Sequence, residues 1–149
     1  MSEETGLPYF QLFTEISILE QLSRTALQEQ LPAGVIVSQF TVLIHLVRVQ
    51  DGRTPLEIAT AFQIPKTTMT HTLAGLEKAS YIEMRANESD ARSKRVWITA
   101  KGRDLCNTTI QSAAGQMEEL EQQFSVDRVK RILPELEALR MIMDARRNS

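Results

Sequence analysis

Two prolines ten residues apart, Pro55 and Pro65, constrain this chain more than any other feature. Thr54-Pro55-Leu56-Glu57 is a helix start: a Thr hydroxyl accepts an orphan amide, Pro takes the first helical position, and Glu three residues after Thr completes a capping box. The helix is short, with Ile58, Ala59 and Phe62 facing inward, before Gln63-Ile64-Pro65 turns the chain. Helical spacing resumes from Lys66 to Ala79, with Met69, Leu73 and Leu76 on one stripe. Two short helices joined by a tight turn form a helix-turn-helix unit.

The period then changes. Tyr81 to Arg85 alternates, as does Arg95 to Thr99, and a polar run from Ala86 to Lys94 separates them. This predicts a β-hairpin with a charged tip. Phe10 to Leu31 reads as a long amphipathic helix stopped by Pro32 and Gly34. Ser38 precedes a helix apolar on more than one face (Phe40, Val42, Leu43, Leu46) that closes at Asp51-Gly52 and belongs in the core. Thr99 caps a helix from Lys101 to about Phe124, and Ser125 restarts a last one in which Pro134 argues for a kink or an altered start. The architecture expected is mostly α with one small hairpin. The end helices, 1–34 and 104–149, carry more apolar face than one small core can use, which suits packing against a second copy. The 35–103 segment forms the lobe between them, within a single integrated domain.

Composition narrows the function. The only cysteine, Cys106, excludes an internal disulfide framework and fits a reducing, cytoplasmic setting. No apolar run is long enough to span a membrane, and the N-terminus does not read as an export signal, so a soluble protein with no membrane partner is expected. The net charge is -2, yet Lys66 to Arg103 holds eight basic residues against four acidic, a local +4 on an acidic body. Such a patch confines phosphate binding to one face. There is no Gly-rich phosphate loop, nucleophile elbow or carboxylate pair, and neither histidine has metal-ligand spacing. No enzyme, metal or cofactor is expected.

These residues resemble the multiple antibiotic resistance regulator (MarR) type of transcription factor, a dimeric winged helix-turn-helix. The most specific element is Asp90-Ala91-Arg92-Ser93-Lys94-Arg95-Val96-Trp97-Ile98-Thr99 followed by Lys101-Gly102, similar to the family's wing signature. Gln39-Phe40-Thr41-Val42-Leu43, Pro55-Leu56-Glu57-Ile58-Ala59 and Thr68-Met69-Thr70 with Leu73 and Leu76-Glu77 support it in order and spacing. His71 stands where the family often has Arg, and Ser80 where it often has Gly before the first wing strand. The resemblance implies a homodimeric repressor on an inverted-repeat duplex, released by a small aromatic or phenolic effector. The effector would draw on Phe10, Phe13, His45 and Arg48.

A recognition helix needs short polar side chains near its N-terminus, because the major groove leaves little reach to the base edges. Lys66, Thr67, Thr68, Thr70 and His71 supply them, with Thr67, Thr70 and His71 opposite the apolar stripe. Arg92 at the hairpin tip has the length and charge to enter a narrow minor groove, and Lys94 and Arg95 would meet phosphates. Asp90, which would repel phosphate, is assigned to fixing the wing. Gly75 inside the recognition helix is a candidate for close helix approach. Two alternatives stay open: a winged-helix protein-interaction module, since fold does not fix function, and a redox-sensing regulator acting through Cys106.

Overall fold

The computed structural model describes residues 3–149. Six helices and one antiparallel hairpin follow in the order α1 (Glu3–Gln30), α2 (Val37–Arg48), α3 (Pro55–Ala61), α4 (Lys66–Lys78), β1 (Ile82–Ala86), β2 (Lys94–Ile98), α5 (Ala100–Gln123) and α6 (Val126–Asn148). This is the mostly helical, winged architecture that the sequence predicts. Three helix starts follow the expected chemistry: the hydroxyls of Thr54, Thr99 and Ser125 accept from the amides of Glu57, Gly102 and Arg128.

The boundaries of α1, α2 and the hairpin strands differ from expectation. Helix α1 begins seven residues before Phe10 and runs through Pro8. A proline there forfeits only one helical hydrogen bond, so the apolar run beyond it prevails over the breaker. Helix α2 is not capped by Ser38. Its opening amides are served by glutamines: Gln39 Oε1 accepts from Ile36 N at 3.2 Å, and Gln28 Oε1, reaching across from α1, accepts from Val37 N at 3.1 Å. Pro134 lies inside α6, which is continuous from its cap at Ser125, so the helix start is not altered. Each strand of the hairpin is displaced by one residue from the expected limits, with the faces unchanged.

Ile82 pairs with Ile98 and Met84 with Val96 on the inner face, while Glu83 opposes Trp97 and Arg85 opposes Arg95 on the outer. A third short connection joins the sheet, because Arg53, in the loop between α2 and α3, bridges Val96. The core gathers Val42, Leu43 and Leu46 of α2, Ile58 of α3, Met69 and Leu76 of α4, and Ile82 and Val96 of the hairpin, all essentially inaccessible. Each contributes about 1.5–3 kcal/mol by burial. Gly75 of α4 faces Gln39, whose Nε2 would lie 2.7 Å from a Cβ placed there. That glycine lets α4 close on the side chain that starts α2.

The end helices behave differently. Among the described residues, helix α6 buries none of its own and makes no extensive packing contact with another element. Leu7, Phe10, Leu19 and Leu22 of α1, Ile110, Met117 and Leu120 of α5, and Leu133, Ile142 and Met143 of α6 all stand exposed. No described helix is long and apolar enough to cross a membrane.

Candidate nucleic-acid interface

Helix α4 divides its residues as its period requires. Met69, Leu73 and Leu76 are buried, and Lys66, Thr67, Thr68, Thr70 and His71 are exposed on the other side. Its N-cap is Pro65, and no side chain caps the opening amides. The helix therefore presents donors and the positive end of its dipole outward. Thr70 donates its hydroxyl proton to the Lys66 carbonyl at 2.9 Å, which leaves the Thr70 oxygen as an acceptor.

The hairpin loop is held from within. Asn87, buried, donates from Nδ2 to Ser93 Oγ at 2.9 Å and accepts at Oδ1 from Ser89 N and from Arg95 Nε. Asp90 Oδ1 accepts from Arg92 N at 3.0 Å and from Arg92 Nε at 3.4 Å. The Arg92 side chain is nonetheless 92% exposed at the tip, and Lys94 beside it is exposed too. Arg95 is turned inward: its Nη1 donates to the Gly52 carbonyl at 2.9 Å while its Nε binds Asn87.

A three-residue hub fixes this hairpin to the helices. Asp51 Oδ1 accepts from Ile98 N at 3.0 Å and its Oδ2 meets Arg103 at 3.3 Å. Gly52 N donates to Val96 O, and Val96 N donates to Arg53 O. Arg53 reaches Glu57 at 3.3 Å on one side and His45 Nε2 at 3.0 Å on the other. Arginine only donates, so His45 Nε2 accepts and the ring is neutral, with its proton on Nδ1. Burial and then the Arg53 charge hold the His45 pKa below its ordinary value. At Glu57, burial raises the pKa, but hydrogen bonds from Thr54 and Arg53 together with the Arg53 charge outweigh it and bring the carboxyl below its usual range.

The local +4 is therefore thinner at the surface than in the sequence. Arg85 is taken by Glu83 and lies over Trp97, Arg95 is turned inward, Arg103 pairs with Asp51, and Lys101 donates to the Ala79 carbonyl at the end of α4. Among the described residues, Lys66, Lys78 and Lys94 have no partner within the chain, and Arg92 has only the Asp90 carboxylate.

Of the four residues expected around an effector, none borders the open clefts of about 470 and 360 Å³. Phe10 is 71% exposed and Phe13 is also exposed on α1, while His45 is engaged by Arg53 and by the Phe62 ring, 5.2 Å away between centroids. Arg48 ends α2 and is exposed. Those two open clefts lie elsewhere: about 470 Å³ between α1 (Gln21, Arg24, Gln28) and the start of α2 (Ile36, Val37), and about 360 Å³ among Leu31, Pro32, Tyr81, Lys101 and Thr108. Cys106 is buried, and burial raises its pKa against a smaller opposing influence of Arg103. A thiol kept protonated in this way is a weak nucleophile. Among the described residues no group of three His, Cys, Asp or Glu side chains could hold a metal ion.

The sequence reading passed over Asn87 and Asp51. Both sit in polar runs between periodic segments, and only the contacts they make, reaching as far as 52 residues along the chain, set them apart.

Residues 33–93 match the model of the MarR family. No curated protein matches the chain by sequence. Among solved structures, a MarR transcriptional regulator from Methanosarcina mazei is 25% identical, with 93% of this chain and 98% of that one covered and a TM-score of 0.77. A cysteine-to-serine mutant of MarR from E. coli, complexed with operator DNA, is 24% identical over 89% of this chain and 94% of that one, with a TM-score of 0.74. The MarR protein from Peptoclostridium difficile shares 18% identity over 91% and 88% of the two chains at a TM-score of 0.78, a likeness of fold. The class is thus the winged helix-turn-helix. Within it, residues 33–93 are similar to the MarR family, and the whole chain shares its fold with MarR structures, one of them complexed with operator DNA.

Proposed function

We propose that two copies of this chain bind an inverted-repeat duplex as a repressor, each laying α4 in a major groove and its hairpin tip along the neighbouring minor groove. The observation that carries this reading is the pairing, within one lobe, of the exposed polar face of α4 with Arg92 projecting from a hairpin pinned by Asp51, Gly52 and Arg53. Thr67, Thr70 and His71 read base edges, and the Thr70 methyl and acceptor oxygen suit a thymine methyl or an exocyclic amine. Lys66, the uncapped start of α4 and Lys94 take phosphates. Thr68, whose carbonyl accepts from Thr72, sits at the groove margin. Asp90 holds Arg92, and Arg95, assigned to phosphate by sequence, instead holds the hairpin loop from inside.

The exposed apolar stripes of α1, α5 and α6 support the homodimer, with residues 1–34 and 104–149 joining the copies and 35–103 carrying the DNA-binding surface. A small aromatic or phenolic effector fits the cleft between α1 and α2 better than the set Phe10, Phe13, His45 and Arg48. Arg24 on its wall is paired with Glu20 at 2.6 Å, so an acidic ligand group would have to share that cation. A ligand that favours one spacing of the two recognition helices shifts the dimer population away from the DNA-competent form. A DNA-free protein-interaction role lacks an observation of comparable weight.

Salt dependence of binding to duplex DNA tests the reading. Three cations per protomer set against the duplex (Lys66, Arg92 and Lys94), doubled in a dimer, give a slope of log affinity against log salt of about −5. A slope near zero would remove the DNA-binding role.

A further inference from the structure

The last turn of α6 returns to the turn between α3 and α4. Arg147 Nη1 donates to the Gln63 carbonyl at 3.0 Å, and Gln63 Nε2 lies 3.5 Å from Asn148 Oδ1. Gln63 is in the left-handed region at φ 53, one of two non-glycine residues there among those described. Its own amide and that of Ile64 are committed to Thr60 O and Ala59 O, so the turn is closed on its amide side and offers its carbonyl to Arg147. From Gln63 the chain runs through Ile64 and Pro65 directly into Lys66, the first residue of α4.

Helix α6 otherwise leaves most of its large apolar side chains exposed and, among the described residues, makes no extensive packing contact with another element. A helix of 23 residues is a rod about 34 Å long. One end is tied to the helix-turn-helix turn, and the remainder lies among the faces read above as dimerising. A left-handed residue without glycine is costly and persists where its surroundings hold it. The Arg147 and Asn148 contacts are surroundings of that kind.

We infer that Arg147 is a positioning residue: through the Gln63 carbonyl it sets the attitude of α4 relative to the dimer axis, and so the half-site spacing the protein selects. The inference rests on the dimeric DNA-binding reading above and goes beyond it by assigning spacing to the far C-terminus. One such exposed bond shifts a population by on the order of three- to tenfold, enough to bias spacing without locking it.

The test uses the full-length protein, Arg147→Ala and Arg147→Lys, with three readouts: hydrogen exchange at the amides of Gln63 and Ile64, selection from duplexes whose half-site separation varies by single base pairs, and the salt slope. Arg147→Ala is expected to speed exchange in the turn severalfold and to reduce the preference for the best spacing over its neighbours by about three- to tenfold, with the salt slope unchanged. Unchanged exchange would overturn the inference, as would faster exchange with an unaltered spacing preference, which is a merely structural contact. A slope smaller by about one and restored by Arg147→Lys would make Arg147 a phosphate ligand instead. If the wild-type protein selects no repeat, the dimeric DNA-binding reading fails, and the spacing claim with it, while exchange still reports whether the joint exists.

Discussion

Ser80 sits at φ 65, a conformation in which any Cβ is strained, and the adjoining Thr99 hydroxyl donates to the Ser80 carbonyl and fixes the turn before the hairpin. Ser80→Gly removes the strain without touching that carbonyl, so stability rises by up to about 1 kcal/mol in chemical denaturation. Gly52 presents the opposite case: at φ 70 a Cβ would stand 2.5 Å from the Trp97 ring. Gly52→Ala combines backbone strain with overpacking and costs about 2 kcal/mol or more. His45 supplies the pH dependence. Its folded pKa is below the ordinary 6.5, so the contribution of the neutral ring is present above that value and is lost as pH falls from it through the folded value. Protonation would also set a second cation against Arg53, whose other side faces the Glu57 carboxylate. The denaturation midpoint of the wild type therefore drops on acidification below 6.5, and His45→Gln, which keeps an acceptor but cannot titrate, shows a smaller drop. Equal drops in both proteins would place the effect elsewhere.

At the scale of elements, the hairpin depends on a buried amide that joins Ser89, Ser93 and Arg95. Asn87→Ala leaves Arg95 with one partner fewer and costs about 1–3 kcal/mol, read as a lower melting temperature with weaker DNA binding. Arg92→Ala acts differently, because that side chain is solvent-facing: stability holds, and binding weakens more on A·T-rich flanks than on others. Loss independent of the flank would remove the minor-groove role. The elements themselves were legible in the sequence because periodicity and capping are local. Thr54, Thr99 and Ser125 declared three helix starts, and Met69, Leu73 and Leu76 declared the buried stripe of α4. The cap of α2 was not legible, since its partner Gln28 lies nine residues away on another helix. Nor was the inward turn of Arg95, which depends on a loop 43 residues earlier. Side-chain type states what a residue can bond, and tertiary contact decides which of those bonds it makes.

For the whole molecule, exposure of leucine, isoleucine and methionine along α1, α5 and α6 is difficult to reconcile with a solitary chain. Leu19→Glu combined with Leu133→Glu places charges on two of these faces without disturbing the lobe, as both side chains are already more than half exposed. The double variant should sediment as a monomer with its fold intact and bind the operator about 100-fold more weakly, through the loss of linked half-sites. The central claim, that α4 reads bases while the dimer sets their spacing, is met most directly by selection from a random duplex library at near-physiological salt, using the unliganded wild type and His71→Ala in parallel. The account predicts an enriched inverted repeat with half-site centres about 10 bp apart, and with His71→Ala the same spacing but altered base preference within each half-site. An unenriched wild-type pool, or a base preference indifferent to His71 and equally indifferent to Thr67→Ala and Thr70→Ala, would contradict it.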